Sequence, residues 1–254
     1  MNKKNKNKIF FLKNRKYTTE QLGIIFLSFG TILQAIIQIL ILAILSRLLT
    51  SSDFGVITVL QSITTFSLMF SQFGVSQVII QKEKISKVEI SNATSISVVF
   101  GTIISILFFV LSDQIGLFFN SNNLNLVIKV FAPYFIIKSF FLINEGLLLR
   151  DLNFRFITKI QLISYFFGYG LVSVIFALNG FGYWSIVIGL YSQMLISGIM
   201  QSNIYGIKLS FVFDKKVTKN LLYNGGGYTS ATFLNYLTEE MDNFFVGRKL
   251  GITN

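Results

Sequence analysis

Lys138 stands in PYFIIKSFFLINEG, a stretch otherwise almost free of charge, with Glu145 seven positions later. Placing a lysine at the centre of a membrane helix costs about 2.5–3.5 kcal/mol on insertion scales, so such a residue faces a cavity or a partner. Seven positions on a helix nearly share a face and lie about 10 Å apart along the axis, too far for direct contact on a straight helix. Two readings stand: a cavity cation with Glu145 as partner or coupling carboxylate, or interhelical pairing with Glu145 reaching towards Arg150. Lys129, nine positions before Lys138, falls on the opposite face and is expected to snorkel. Pro133 removes the donor to the Lys129 carbonyl and predicts a kink. The triplet Gly225-Gly226-Gly227 lacks the Lys-Ser/Thr of a phosphate loop and reads as a flexible lead into the helix that follows. Tyr165, Tyr169 and Tyr228 have the faces to stack on a ring, or simply to pack. The chain has no Cys and no His, which removes thiolate chemistry, imidazole acid–base catalysis and histidine metal ligands.

The elements that must hold these residues are membrane helices. Of the 254 residues, 52% are hydrophobic and only 13% charged, about half the charge of a soluble domain. Residues 21–46, 54–81 and 90–112 carry no charge over 26, 28 and 23 positions. Residues 160–207 form an uncharged run of 48, divided by Asn179-Gly180-Phe181-Gly182 into a fifth and a sixth segment. Segment four is 125–149, and segment seven, more polar, is 225–247. Spans of about 20 apolar residues are membrane helices, because lipid offers the backbone no hydrogen-bond partner. The first segment is too long for a cleavable signal.

Lys and Arg alternate by connection. Residues 1–16, then Lys82, Lys84 and Lys87, then Arg150, Arg155 and Lys159, then Lys208, Lys215, Lys216 and Lys219 hold 17 of the 22. The intervening connections hold Arg47, Arg248 and Lys249. The positive-inside rule puts the N-terminus in the cytoplasm, and the net charge of +11 becomes topological rather than a sign of nucleic-acid binding. Tyr183, Trp184 and Tyr205 sit at the ends of segment six, as interfacial aromatics do.

SRLLTSSD at 46–53 resembles GRKLGITN at 247–254, an offset of 201. The same offset lays Thr31 on Thr232, Gln34 on Asn235 and Gln38 on Glu239, with Asp242 extending the stripe. Positions three and four apart share one helix face. The repeat is parallel, since six crossings separate its copies. The expected fold is an all-α integral membrane protein: a six-helix transmembrane bundle plus the first helix of a second parallel-repeat bundle. The divisions are a basic cytoplasmic N-terminus at 1–20, a six-helix lobe at 21–207, a cytoplasmic linker at 208–224, and the start of a second, truncated lobe at 225–254.

SRLLTSSDFG at 46–55, FGVSQVIIQKEKIS at 73–86, LLLRDLNFRF at 147–156, GFGYWS at 180–185 and DNFFVGRKLG at 242–251 resemble the bacterial polysaccharide-transporter family. These are lipid-linked oligosaccharide flippases of the multidrug/oligosaccharidyl-lipid/polysaccharide exporter superfamily. The resemblance implies two helical lobes around a central cavity and alternating access. It also implies movement of undecaprenyl-pyrophosphate-linked oligosaccharides to the outer leaflet of a bacterial plasma membrane, for O-antigen, capsule or exopolysaccharide. No cofactor is expected, with coupling to an H+ or Na+ gradient left open. The expected partners are membrane lipid, the lipid-linked oligosaccharide and other polysaccharide-assembly membrane proteins. Lys138 becomes a candidate for the pyrophosphate, with Glu145 beside it. Gln34, Gln38, Asn235, Glu239 and Asp242 line the cavity or bond between helices, and Arg47 and Arg248 guide a phosphate or anchor at headgroups.

Two other functions fit less of the sequence. A drug or cation exporter of the same superfamily calls for an acidic cavity, which Lys138 opposes. A membrane polymerase or acyltransferase calls for a large outer loop or a His/Asp/Arg cluster.

Overall fold

The computed structural model describes residues 3–119, 123–205 and 212–250, and side chains at Gly23 and from 26 to 235 within those ranges, Gln72 excepted. The helices are α1 (Lys3–Leu48), α2 (Ser51–Gln72), α3 (Val75–Gln81), α4 (Lys87–Phe118), α5 (Leu124–Phe131), α6 (Pro133–Arg150), α7 (Phe154–Ile163), a π-helix (Ser164–Leu171), α8 (Val172–Leu178), α9 (Trp184–Tyr205) and α10 (Lys215–Leu250). No strand occurs among the described residues. Among the described residues five stretches are long and apolar enough to cross a membrane: Phe26–Leu48, Ser51–Ser71, Lys87–Phe118, Leu124–Arg150 and Phe154–Leu178. Helix α9 adds 22 residues without a charge. The all-α membrane class read from the sequence is the class observed.

Two compact units make up the chain, Met1–Thr58 with Asn144–Ile207, and Val59–Ile143 with Lys208–Asn254. In the first, small residues let helices approach closely, as packing in lipid favours. A methyl group on Gly30 would overlap Thr158, one on Gly170 would overlap Ile41, and one on Gly189 would overlap Ser173. Along α1, Gly30, Ile41 and Leu45 are buried, one face at helical spacing, and Leu49 just past its end is buried too. Many of the other apolar side chains from Phe26 onwards are exposed, with Phe29 at 64% and Ile39 at 66%, as a lipid-facing surface requires. Asn179–Tyr183 turns the chain between α8 and α9, using Gly180 at φ 80° and Gly182 at φ 53°. The backbone N–H of Tyr183 donates to Asp53 Oδ1 at 3.1 Å and ties that turn to the start of α2.

In the second unit, α4 is the central support. Its first turn carries a full capping box: Ser86 accepts from the Glu89 N–H, and Glu89 accepts from the Ser86 N–H. Lys82 Nζ closes on Glu89 at 2.5 Å. Gly101 lets Ser139 of α6 approach the helix, and Ser139 shares a 2.6 Å hydrogen bond with Ser71 of α2. Phe108 stacks on Phe135, with Phe131 and Tyr134 beside them.

The structure departs from the sequence expectations in four places. The uncharged run 54–81 is not one segment. Phe73 at φ 41° and Gly74 at φ 60° break it into α2 and α3. The connection after segment four is only Asp151–Asn153, so Arg155 and Lys159 lie on α7. Lys129 does not simply snorkel: its Nζ lies 2.9 and 3.1 Å from the two carboxylate oxygens of Asp113, whose Oδ1 also accepts from Asn125. Finally, the glycine triplet is no flexible lead, because α10 starts at Lys215 and runs unbroken through it. Gly225 is buried there because a methyl group would collide with the Phe73 carbonyl oxygen. At Pro133 the expectation holds: the α-helical pattern is interrupted at Ala132, where the proline withholds its donor.

Candidate functional site

Lys138 sits one position before the buried Ser139, at the edge of the face that α6 packs, and is half-buried. Its helix is fixed on both sides of it. Upstream, Phe131 and Phe135 are each 1% exposed; downstream, Leu142 and Ile143 are closed in. The lysine is therefore held at a set height along a helix whose neighbours are apolar, and it engages other groups of the protein. Asn235, on α10 of the same unit, is exposed, and so is Thr232. Glu239, Asp242 and Arg248 fall on the last part of α10, and their side chains lie outside the described residues.

In the other unit, Glu145 is half-buried and engaged with other groups. Its neighbour Asn144 is 1% exposed and donates to Ser202 Oγ at 2.8 Å, which joins α6 to α9. Among the described residues the side-chain Oδ1 of Asn144 has no hydrogen-bond partner. Gln34 is half-buried and Gln38 exposed on α1. Thr31, the third member of that stripe, turns its hydroxyl back to the Leu27 carbonyl at 3.0 Å. It thereby satisfies itself within the helix. Arg47 is exposed and borders a shallow cavity of about 420 Å³ walled by Leu40, Ile44, Leu48, Val174 and Leu178. A guanidinium over an apolar wall suits an interfacial anchor.

Sequence reasoning missed two features. The first is the π-helix Ser164–Leu171, SYFFGYGL, inside an apolar run. Such wide turns frequently mark functional sites. Here Gly168 lies against the backbone of Gln193, and the rings of Tyr165 and Tyr169 lie 5.1 Å apart. The tyrosines pack on each other, as one of the two sequence readings had it. The second is the anchorage of α10. Asn92 is fully buried; its Oδ1 accepts from the Asp214 N–H at 2.8 Å and the Thr218 hydroxyl at 3.0 Å. Ser95 Oγ accepts from the Val212 N–H at 3.1 Å. Asn92 and Ser95 stand three apart among the other polar residues of the first turns of α4, so nothing singled them out, and their partners are over 110 residues away. Among the described residues no group of three His, Cys, Asp or Glu is placed to hold a metal.

Set beside known proteins, the chain is similar to proteins of bacterial surface-glycan synthesis. It is 24% identical to the teichuronic acid biosynthesis protein TuaB of Bacillus subtilis over 88% of this chain and 47% of that protein. It is 27% identical to the lipopolysaccharide biosynthesis protein WzxC of Escherichia coli, over 83% of this chain and 43% of that protein. With the succinoglycan biosynthesis transport protein ExoT of Rhizobium meliloti the identity is 21%, over 83% of this chain and 42% of that protein. The chain thus spans a little under half the length of these relatives. No solved structure matches. Residues 44–254, from the end of α1 onwards, match the family described as polysaccharide biosynthesis protein, and the chain belongs to that family.

Proposed function

We propose that the chain serves in flipping undecaprenyl-pyrophosphate-linked oligosaccharides across a bacterial plasma membrane by alternating access, with its N-terminus in the cytoplasm. The observation that carries this reading is the family match over 44–254 laid on a set of membrane-length helices. The name of one relative says transport outright. The chemistry is compatible. A flipped glycan needs a polar path through about 30 Å of hydrocarbon, while its polyprenyl tail can remain in lipid. No bond need be made or broken, so the reading assigns no catalytic residue.

In this reading Lys138 meets the pyrophosphate. It is the charged residue placed deepest in the Leu124–Arg150 stretch, and a phosphate at a lysine is recognised as a point charge rather than by a planar fork. Asn235, with Glu239 and Asp242 beyond it, offers polar contacts along α10. On α1, Gln34 and Gln38 make no side-chain hydrogen bond among the described residues, which leaves their amides free for sugar hydroxyls or water. Glu145 is the coupling carboxylate in an H+- or Na+-driven cycle, and Arg47 and Arg248 hold helix ends at headgroups.

The test is export in a strain of the source bacterium that carries only the altered gene. Lys138→Ala should lower surface glycan while the protein inserts at the normal level, and Lys138→Arg should restore part of it. Unchanged export in Lys138→Ala removes this residue from the path. Efflux of organic cations with no change in surface glycan would overturn the substrate class itself.

A further inference from the structure

A groove of about 740 Å³ opens beside the start of α10, lined by Phe73, Phe100, Phe213 and Leu222, with Lys215 and Lys219 at its rim. Its size is that of small-ligand sites, roughly 300–1,000 Å³. Its walls are apolar, and the ring of Phe73 stacks on Phe100 at 4.4 Å with planes 10° apart. Phe73 holds that ring in place from a left-handed backbone, φ 41°. A bulky residue in that region costs on the order of 1–3 kcal/mol and persists where surrounding structure demands it. Phe213 is left 56% exposed on the opposite side.

The rim is cationic. Lys215 and Lys219 are four positions apart and share a helix face with Thr218 and Leu222. Neither ammonium has an ion-pair partner among the described residues. Asp214, next to Lys215 in the chain, is occupied: its Oδ1 accepts the N–H groups of Lys216 and Val217 and caps the helix. The helix end is thus already satisfied, and an anion at this rim must bind the lysine side chains.

We propose that this groove is a binding site for an anionic phospholipid, its phosphodiester at Lys215 and Lys219 and one acyl chain along Phe73, Phe100 and Leu222. A free phosphate has no use for the apolar wall. The charged side chains that line the groove, Lys215 and Lys219, are both positive, which suits an anionic headgroup. The bound lipid would clamp α10 to α4 and to the Phe73–Gly74 turn. The proposal does not depend on the flippase reading.

The experiment is native mass spectrometry of the full chain, released from micelles containing equal amounts of phosphatidylglycerol and phosphatidylcholine with identical chains. Retention of phosphatidylglycerol should exceed that of phosphatidylcholine at least tenfold. A basic side chain near a lipid surface contributes a factor of about five, so Lys215→Gln with Lys219→Gln should cut phosphatidylglycerol retention roughly 25-fold. Lys84→Gln, a lysine outside the groove, should leave it unchanged. Equal retention of the two lipids on the unaltered chain overturns the proposal, as does an equal loss in Lys84→Gln. Displacement of phosphatidylglycerol by equimolar undecaprenyl pyrophosphate overturns it too, since the groove would then belong to the transported lipid. Should the double variant not purify, the lipid ratio on the unaltered chain still decides.

Discussion

Three adjacent glycines on α10 face three different surroundings, and alanine at each should read them out separately. At Gly225 a methyl group would collide with the Phe73 carbonyl oxygen and sit 3.4 Å from the Gly74 carbonyl carbon and the Val75 nitrogen. These are backbone atoms of a left-handed turn, so they cannot swing aside as a side-chain tip can. Forcing a methyl group into a filled contact costs about 1–3 kcal/mol. At Gly226 the nearest atoms are the Phe73 ring carbons at 3.7 Å, an ordinary contact. At Gly227 nothing lies within 4 Å. There, alanine only removes the helix penalty of glycine, a gain of about 0.5–1 kcal/mol. With roughly 2–4 °C of melting temperature per kcal/mol for a chain of this size, Gly225→Ala should fall by about 2–12 °C and Gly227→Ala should rise by about 1–4 °C. Gly226→Ala, with only an ordinary contact in the same helix, should rise by a similar amount. The assay is thermal unfolding of the full chain in one fixed detergent, read by the fraction that still elutes as a monodisperse peak after heating. Equal losses at 225 and 227 would refute the reasoning, because they would mean that the triplet is needed for flexibility and not for one close approach.

Other perturbations follow from the same geometry. Asn92→Ala removes the acceptor of the Asp214 N–H and the Thr218 hydroxyl; Asp214 is exposed and Thr218 half-buried, so each lost bond costs about 0.5–1.5 kcal/mol and the same thermal assay should show a loss of a few degrees. The chain has no native cysteine, so single cysteines at Gln34 and Asn235 can be probed cleanly in membranes. Both should react with a water-soluble thiol reagent, and protection at both would assign them to helix packing. Lys138→Ala should depress export without depressing insertion, and normal export would take Lys138 out of the path.

The long elements were readable because hydropathy and charge are local properties. Uncharged runs gave the helices, Asn179-Gly180-Phe181-Gly182 gave the turn between the fifth and sixth, and Pro133 gave the break before α6. Ser86-x-x-Glu89 could have been read as a capping box. What stayed hidden depends on distant partners or on backbone detail. Phe73-Gly74 breaks its helix without a charge or a proline to announce it. Lys129 finds Asp113 sixteen positions earlier, a pairing that only the packing of α5 on α4 creates. The glycine triplet was misread because composition cannot tell a glycine that bends a chain from one that lets two backbones touch. At the site, the depth of Lys138 was legible, whereas the fixing of α6 through Ser139, Ser71 and Gly101 was not, since small polar residues carry no hydropathy signal.

The proposed role is to move a finished lipid-linked glycan and not to build it. Its most direct measurement is the lipid-linked oligosaccharide pool of the source bacterium after deletion of the gene, with surface glycan measured in parallel. The account predicts that complete repeat units accumulate on undecaprenyl pyrophosphate at the cytoplasmic leaflet while surface glycan is lost. Accumulation of incomplete units, or surface glycan at its normal level, would contradict it.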